Sequence, residues 1–208
     1  MFELSVTNVL MVLTIACSIY AFSNKDIFFK ARFLPVVMDH SAQWYRFFSY
    51  ALIHADYFHL GVNMYVLYTF GNFTEDIYGL AFAEKGKLYY MLMYSLAAIA
   101  SVIPAYERNK RNAGYSAVGA SGAVSAVVFS SILFNPNSGM GILFIPFFIP
   151  AWLFGLLYLI YSWYMAQKGD SMIGHDAHLF GALFGVGFTL LLQPEVGKNF
   201  LHQIHLFQ

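Results

Sequence analysis

The chain has 208 residues and a formal net charge of zero at pH 7. Hydrophobic residues make up 59% of it and charged residues only 11%, where a soluble domain carries about 25% charged residues; an ordinary water-soluble domain is excluded and lipid is the expected solvent. The neutral balance gives no support for nucleic-acid binding, and the single cysteine, Cys17, excludes an internal disulfide or a cysteine-based metal site.

A bilayer core of roughly 30 Å needs a helix of about 20 apolar residues. Segments 4–22, 58–78, 88–105, 117–134, 142–166 and 177–192 approach that length. The first has no basic stretch ahead of it and reads as a retained helix rather than a cleaved leader. Residues 23–57 mix Phe28, Phe29, Phe33, Trp44, Tyr45, Phe47 and Phe48 with Lys25, Lys30, Arg32 and Arg46. Aromatic and basic residues together suit the headgroup region, so this connection is expected to lie along the interface. Strands are not expected, because the apolar runs are long and lack the alternation of a barrel. The expected fold is an all-α membrane protein, one domain over residues 1–208 with six transmembrane helices.

The second span opens with His54, His59 and Asn63. His59 and Asn63 are four apart and share a helix face. Both can donate hydrogen bonds to a developing oxyanion; polar glue between helices is the alternative, and it suits His54 better than the pair His59 and Asn63. Glu75, near the far end of that helix, reads as structural. The fourth span opens with Gly119-Ala120-Ser121-Gly122. A serine in a membrane helix most often bonds a backbone carbonyl. Here small neighbours on both sides leave room for a substrate backbone to reach the hydroxyl. The sequence is not the G-x-S-x-G elbow of soluble hydrolases, because position 123 is alanine.

The fourth and sixth spans are rich in small residues, which let helices approach closely in lipid. The sixth carries His178, with Gly181 and Gly185 on approximately the same face. A histidine in an apolar span is a functional candidate, and its ordinary pKa of about 6.5 suits a general base. Tight packing of the two small faces is expected to bring His178 within hydrogen-bond reach of Ser121. His175 and His178 could share a metal, but Gly174 and Asp176 suggest a helix cap and H-E-x-x-H is absent; no metal and no cofactor are expected. Orientation stays open: Lys85, Lys87 and Lys198 lie on the side of the termini, and Lys25, Lys30, Arg32, Arg46, Arg108, Lys110, Arg111 and Lys168 on the other, so the positive-inside rule would put the termini outside.

Taken in order, Trp44-Tyr45-Arg46, His54, His59-x-x-x-Asn63, Glu75, Gly119-x-Ser121-Gly122 and His178-x-x-Gly181-x-x-x-Gly185 resemble the rhomboid family of intramembrane serine proteases over about residues 40–190. The resemblance implies a six-helix rhomboid-like bundle that cleaves transmembrane segments of membrane-protein substrates. It implies Ser121 as nucleophile, His178 as general base and an oxyanion hole of Asn63, His59 and the Ser121 amide. Gly181 and Gly185 would hold the sixth span on the fourth, with Gly119 and Gly122 clearing space beside Ser121. His54 and Glu75 would be supports. The fifth span and residues 169–176 would gate entry. Termini in the cytoplasm, against the charge count, and a bacterial inner (plasma) membrane are also implied. The usual Trp-Arg pair is interrupted here by Tyr45, a departure from the family pattern at Arg46. An inactive relative that binds membrane clients would have lost the serine or histidine. A transporter would carry charges within its spans, and a plain scaffold leaves the His and Asn constellation unexplained.

Overall fold

Ser5 opens the first long helix, α1 (Val6–Ser23), by accepting the Asn8 amide on its side chain. In this computed structural model, which describes residues 5–41, 43–141, 147–168 and 174–204, Glu75 of a later helix completes the cap. Its carboxylate accepts from the amides of Val6 at 2.7 Å and Thr7 at 2.8 Å and from the Ser5 hydroxyl at 2.8 Å. The first amides of a helix have no partner inside it, and a negative charge there also opposes the helix dipole. The helix is inverted in polarity. Thr7, Thr14, Ser18 and Ala21 face inward, while Val12, Leu13, Ile19 and Tyr20 face outward. Water would reject that arrangement; lipid favours it, because small inward residues allow close helix approach.

The connection to the second span folds into short helices rather than a plain loop: α2 (Lys25–Ala31), α3 (Pro35–Ser41) and α4 (Arg46–Ser49), then a 3-10 turn at Tyr50–Leu52. Arg46 is buried inside it. Its guanidinium donates to the carbonyls of Phe29 at 2.9 Å and Arg32 at 2.6 Å and to Gln43 Oε1 at 2.6 Å. The interposed Tyr45 does not displace Arg46; its ring lies 5.5 Å from the guanidinium carbon.

α5 (Tyr57–Phe82) starts at Asp56, whose side chain accepts the His59 amide. It turns through Ala83, at φ 49°, into α6 (Gly86–Ala100). Gly86 sits against the Tyr78 carbonyl, where a Cβ would collide. The segment expected to continue to 105 breaks at Ser101 and Val102, and α7 (Ile103–Asn109) begins anew with a proline in its first turn, where proline is tolerated.

α8 (Ser121–Phe134) is the centre, enclosed on nearly every side by α5, α6 and α10. It begins at 121 rather than 117. The backbone before it is held extended by Phe33, which exchanges amide–carbonyl bonds with Ala117 at 2.9 and 3.0 Å, and then turns at Gly119, φ 116°. Two features depart from the expectation of helices alone. Residues Gly139–Gly141 (β1) pair antiparallel with Phe148–Pro150 (β2), so the fifth helix, α9 (Ala151–Lys168), starts well after residue 142. Residues 142–146 lie outside the described residues. α10 (His175–Leu192) returns through the bundle, and a short α11 (Glu195–Gln203) follows.

Away from Ser121, a buried knot of hydroxyls ties three helices. Thr189 of α10 meets Tyr78 of α5 at 2.9 Å and Ser130 of α8 at 2.8 Å. In lipid such groups must find each other, because no water replaces a lost partner. The molecule is an all-α membrane bundle. Among the described residues, three helical stretches, Val6–Ser23, Tyr57–Asn109 and His175–Leu192, are long and apolar enough to cross a membrane, and α8 is a shorter apolar helix.

Candidate active site

Ser121 is the first residue of α8. At about 1.5 Å per residue the 14 residues of α8 span roughly 21 Å, less than a bilayer core of roughly 30 Å. A central helix that short leaves one or both ends within the membrane thickness. The amides of Ser121, Gly122 and Ala123 belong to the first turn, which has no acceptor within the helix.

Two histidines wall this end. Gly119 is packed so closely on His59 that a Cβ there would stand 2.6 Å from Cε1 and 2.9 Å from Nε2; glycine is required both for that contact and for its positive φ. The His54 and His59 rings meet edge to face at 4.9 Å. His54 is fully buried, and its two nitrogens are both used. Nε2 accepts the Ala120 amide at 3.3 Å. The proton therefore sits on Nδ1, 3.0 Å from Ser18 Oγ, which in turn donates to the Leu52 carbonyl at 3.1 Å. Burial first, and the neighbouring His59 second, push the His54 pKa down to about 3, so the ring stays neutral. Asn63 lies one turn further along α5, buried, and donates one amide hydrogen to the His59 carbonyl at 2.9 Å. Its second hydrogen and its carbonyl oxygen remain.

α10 meets α8 along glycine. Gly181 lies on the Gly122 carbonyl and Gly185 on the Ala126 carbonyl, each closer than any Cβ could come. Gly122 in turn faces Ser101, and the Ala177 carbonyl is 3.3 Å from where its Cβ would stand. Ala177 immediately precedes His178. The helices expected to touch do so at this level, yet among the described residues no hydrogen bond joins Ser121 to His178. The imidazole lies instead along the ring of Tyr158 of α9, centroids 6.1 Å apart and planes 21° apart. Catalytic hydrogen bonds are often open before substrate binds. Asp176, in the first turn of α10, pairs with Arg108 of α7. Among the described residues, no hydrogen bond reaches either ring nitrogen of the buried His175.

Gly119, Gly122, Gly181, His54, His59 and Ser121 thus gather at one end of α8. Gly185 lies a turn further along the seam, Glu75 caps α1, and Arg46 sits in the α2–α4 connection. Residues 169–173 of the expected gate lie outside the described residues. Sequence reasoning missed Ser18, Ser101 and Tyr158. Ser18 stands eleven residues after Thr7 on the inward face of α1, a helical spacing that could have pointed to it. Tyr158 stands within an apolar run and had no such pointer. No group of three or more His, Cys, Asp or Glu is placed to hold a metal among the described residues.

Residues 41–195, most of the chain, match the family model of the Rhomboid domain. The chain belongs to the rhomboid family. This rhomboid is 30% identical to Rhomboid-like protein 11, chloroplastic, of Arabidopsis thaliana over 160 residues, 72% of this chain and 52% of that one. It is 31% identical to RHOMBOID-like protein 12, mitochondrial, of the same plant over 155 residues, covering 68% of this chain and 44% of the relative. Against the human Presenilin-associated rhomboid-like protein, mitochondrial, identity is 29% over 149 residues, 70% of this chain and 37% of the relative. The rhomboid therefore spans about half the length, or less, of these curated relatives.

Proposed function

We propose that this rhomboid is an intramembrane serine endopeptidase that cleaves transmembrane segments of single-pass or other membrane proteins. The observation that carries the reading is the placement of Ser121. It is the first residue of a short central helix, walled by two histidines, and joined by a glycine seam to the helix that bears His178. Ser121 Oγ attacks the scissile carbonyl and His178 takes its proton, then returns it to the leaving amine. The oxyanion is met by the free amide of Ser121 and by His59 and Asn63. Preorganised donors of this kind are each worth about 2.7–4 kcal/mol in comparable sites. No metal or cofactor is needed. The substrate backbone must be extended to reach Ser121, so helix-breaking residues near the scissile bond favour cleavage. Residues 1–208 act as one membrane domain, with lipid around it and no nucleic acid as partner. A bacterial inner (plasma) membrane is the proposed location; the organelles named for the relatives belong to those proteins.

Reconstitution in liposomes with a single-pass substrate carrying a glycine-rich break in its helix tests the reading. Cleavage by the parent, absent in Ser121→Ala, is expected. Equal persistence of intact substrate with both proteins would refute it. The missing hydrogen bond between Ser121 and His178 favours one second reading, a relative that binds clients without cutting them; retention of the substrate by uncleaving parent protein would support that instead.

A further inference from the structure

Tyr158 touches both helices that carry the proposed nucleophile and base. Its hydroxyl lies 3.3 Å from Ser125 Oγ, and Ser125 stands one turn after Ser121 on the same face of α8. Its ring runs along the His178 imidazole. Phe129, a further turn along α8, packs on it with centroids 5.9 Å apart. One turn further along α9, Tyr161 stands edge-on to His175 at 5.5 Å, and His175 meets His178 edge to face at 5.9 Å. Two tyrosines three apart on α9 thus meet two histidines three apart on α10. Among the described residues, neither histidine is oriented by a hydrogen bond to its ring. Ring packing is left to set the side-chain torsions of His178, and the ring contact that reaches it from another helix among the described residues is that of Tyr158 on α9.

α9 is held unevenly. Its buried residues are Ala151, Gly155 and Ser162, while Leu156, Leu157, Ile160, Trp163 and Tyr164 face outward. Gly155 is seated firmly: a Cβ there would stand 3.0 Å from Ile132 Cδ1 and 3.3 Å from Phe129 Cε1. Beyond Gly155 the tyrosine–histidine ladder is a principal contact with α10. A tilt of α9 about its Gly155 end would therefore part Tyr158 from His178 before it disturbed the glycine seam between α8 and α10.

We propose that Tyr158 is the positioning residue for His178, and that through it the placement of α9 sets whether the imidazole can engage Ser121. The inference rests on the reading of Ser121 and His178 as nucleophile and base. It gives the bundle a link between the outer helix and the chemistry that the glycine seam alone does not provide: the seam fixes the backbone of α10, and Tyr158 fixes the ring.

The test compares the parent with Tyr158→Phe, Tyr158→Leu and Tyr158→Met in one detergent. Two quantities are read: the rate of fluorophosphonate labelling against pH, and the imidazole nitrogen signals of His178 by NMR with labelled histidine, assigned through His178→Gln. The groups facing His178 are His175 on its own helix, Tyr158 on α9 and His59 on α5, and all but the varied residue stay constant. Labelling of Tyr158→Leu should fall about tenfold or more, as expected for a misplaced base, with an altered pH profile and shifted His178 signals. The ring alone, in Tyr158→Phe, should restore the parent's profile. Tyr158→Met also removes the ring, with a flexible unbranched side chain that adapts to the gap, and stands in if the leucine variant does not fold. Folded aliphatic variants with the parent's pH profile and His178 signals would overturn the proposal. If the parent is not labelled at all, the protease reading fails and the histidine spectra alone decide: shifted signals in the folded variants sustain the positioning role, and unchanged signals overturn it.

Discussion

His54 Nε2 accepts the amide of Ala120, the residue before Ser121, and its Nδ1 proton goes to Ser18. One neutral ring therefore holds the start of α8 against α1. Removing it leaves a buried amide without an acceptor, which costs about 1–3 kcal/mol. His54→Ala should lower the thermal midpoint in detergent accordingly. His54→Gln, with one acceptor and one donor on a similar reach, should recover part of the loss. Acid acts on the same contact. Unfolded, the imidazole takes its proton near the ordinary value of 6.5; folded, only at about 3. The unfolded chain binds more protons between those values, so stability is whole above about pH 6.5 and is lost as pH falls toward 3. Thermal midpoints measured from pH 7 to pH 4.5 should fall less steeply for His54→Gln than for the parent; parallel curves would contradict the assignment. At this scale the sequence was legible where spacing carried the information. His59 and Asn63, four apart, do share a face. Tyr158, Ser101 and the ring partners of the histidines were not legible, because their roles come from contacts between helices distant in sequence.

The glycine pattern after His178 makes the pairing of α8 with α10 readable from the sequence, since Gly181 and Gly185 answer small residues in the fourth span. Gly122 and Ala126 are the partners they meet. A side chain at either glycine must push the helices apart. Gly181→Val should destabilise by about 1–3 kcal/mol, the usual cost of overpacking, and should reduce substrate cleavage more than its stability loss explains, because it also displaces His178. Gly187, with nothing within 4 Å of its would-be Cβ, is the control, and Gly187→Ala should leave both quantities near the parent. Glu75 belongs to this scale as well, since it joins α1 to α5. Glu75→Ala strips the cap from the Val6 and Thr7 amides and should lower the thermal midpoint without shifting the pH profile of labelling. Element boundaries were less legible. Hydropathy alone carries the fourth span back to residue 117 and the fifth to 142. The bridge from Phe33 to Ala117 and the pairing of Met140 with Ile149 are tertiary facts that override an apolar run.

Large apolar residues of the long helices, Leu80, Leu183 and Leu191, are turned outward around a core that mixes large side chains such as Leu67, Met93 and Val127 with buried hydroxyls such as Thr74, Ser130 and Thr189. That arrangement is coherent only in lipid. Trp163 of α9 and Trp44 of the α2–α4 connection are each about half exposed, at 56%, and give a direct reading of it. In single-tryptophan variants, Trp163 fluorescence should be quenched by brominated acyl chains, and Trp44 more strongly by bromines near the headgroup. Equal quenching of both at every depth would contradict the interfacial placement of residues 23–57. Membership of the rhomboid family fixes the frame, and within it the proposed cleavage depends on Ser121 being an activated nucleophile. Fluorophosphonate labelling of the purified parent, followed by peptide mass spectrometry and compared with Ser121→Ala and His178→Ala, puts that dependence to the test. An adduct on Ser121 that is absent in both variants is expected. A folded parent that takes no label, or a label that persists in Ser121→Ala, would contradict it.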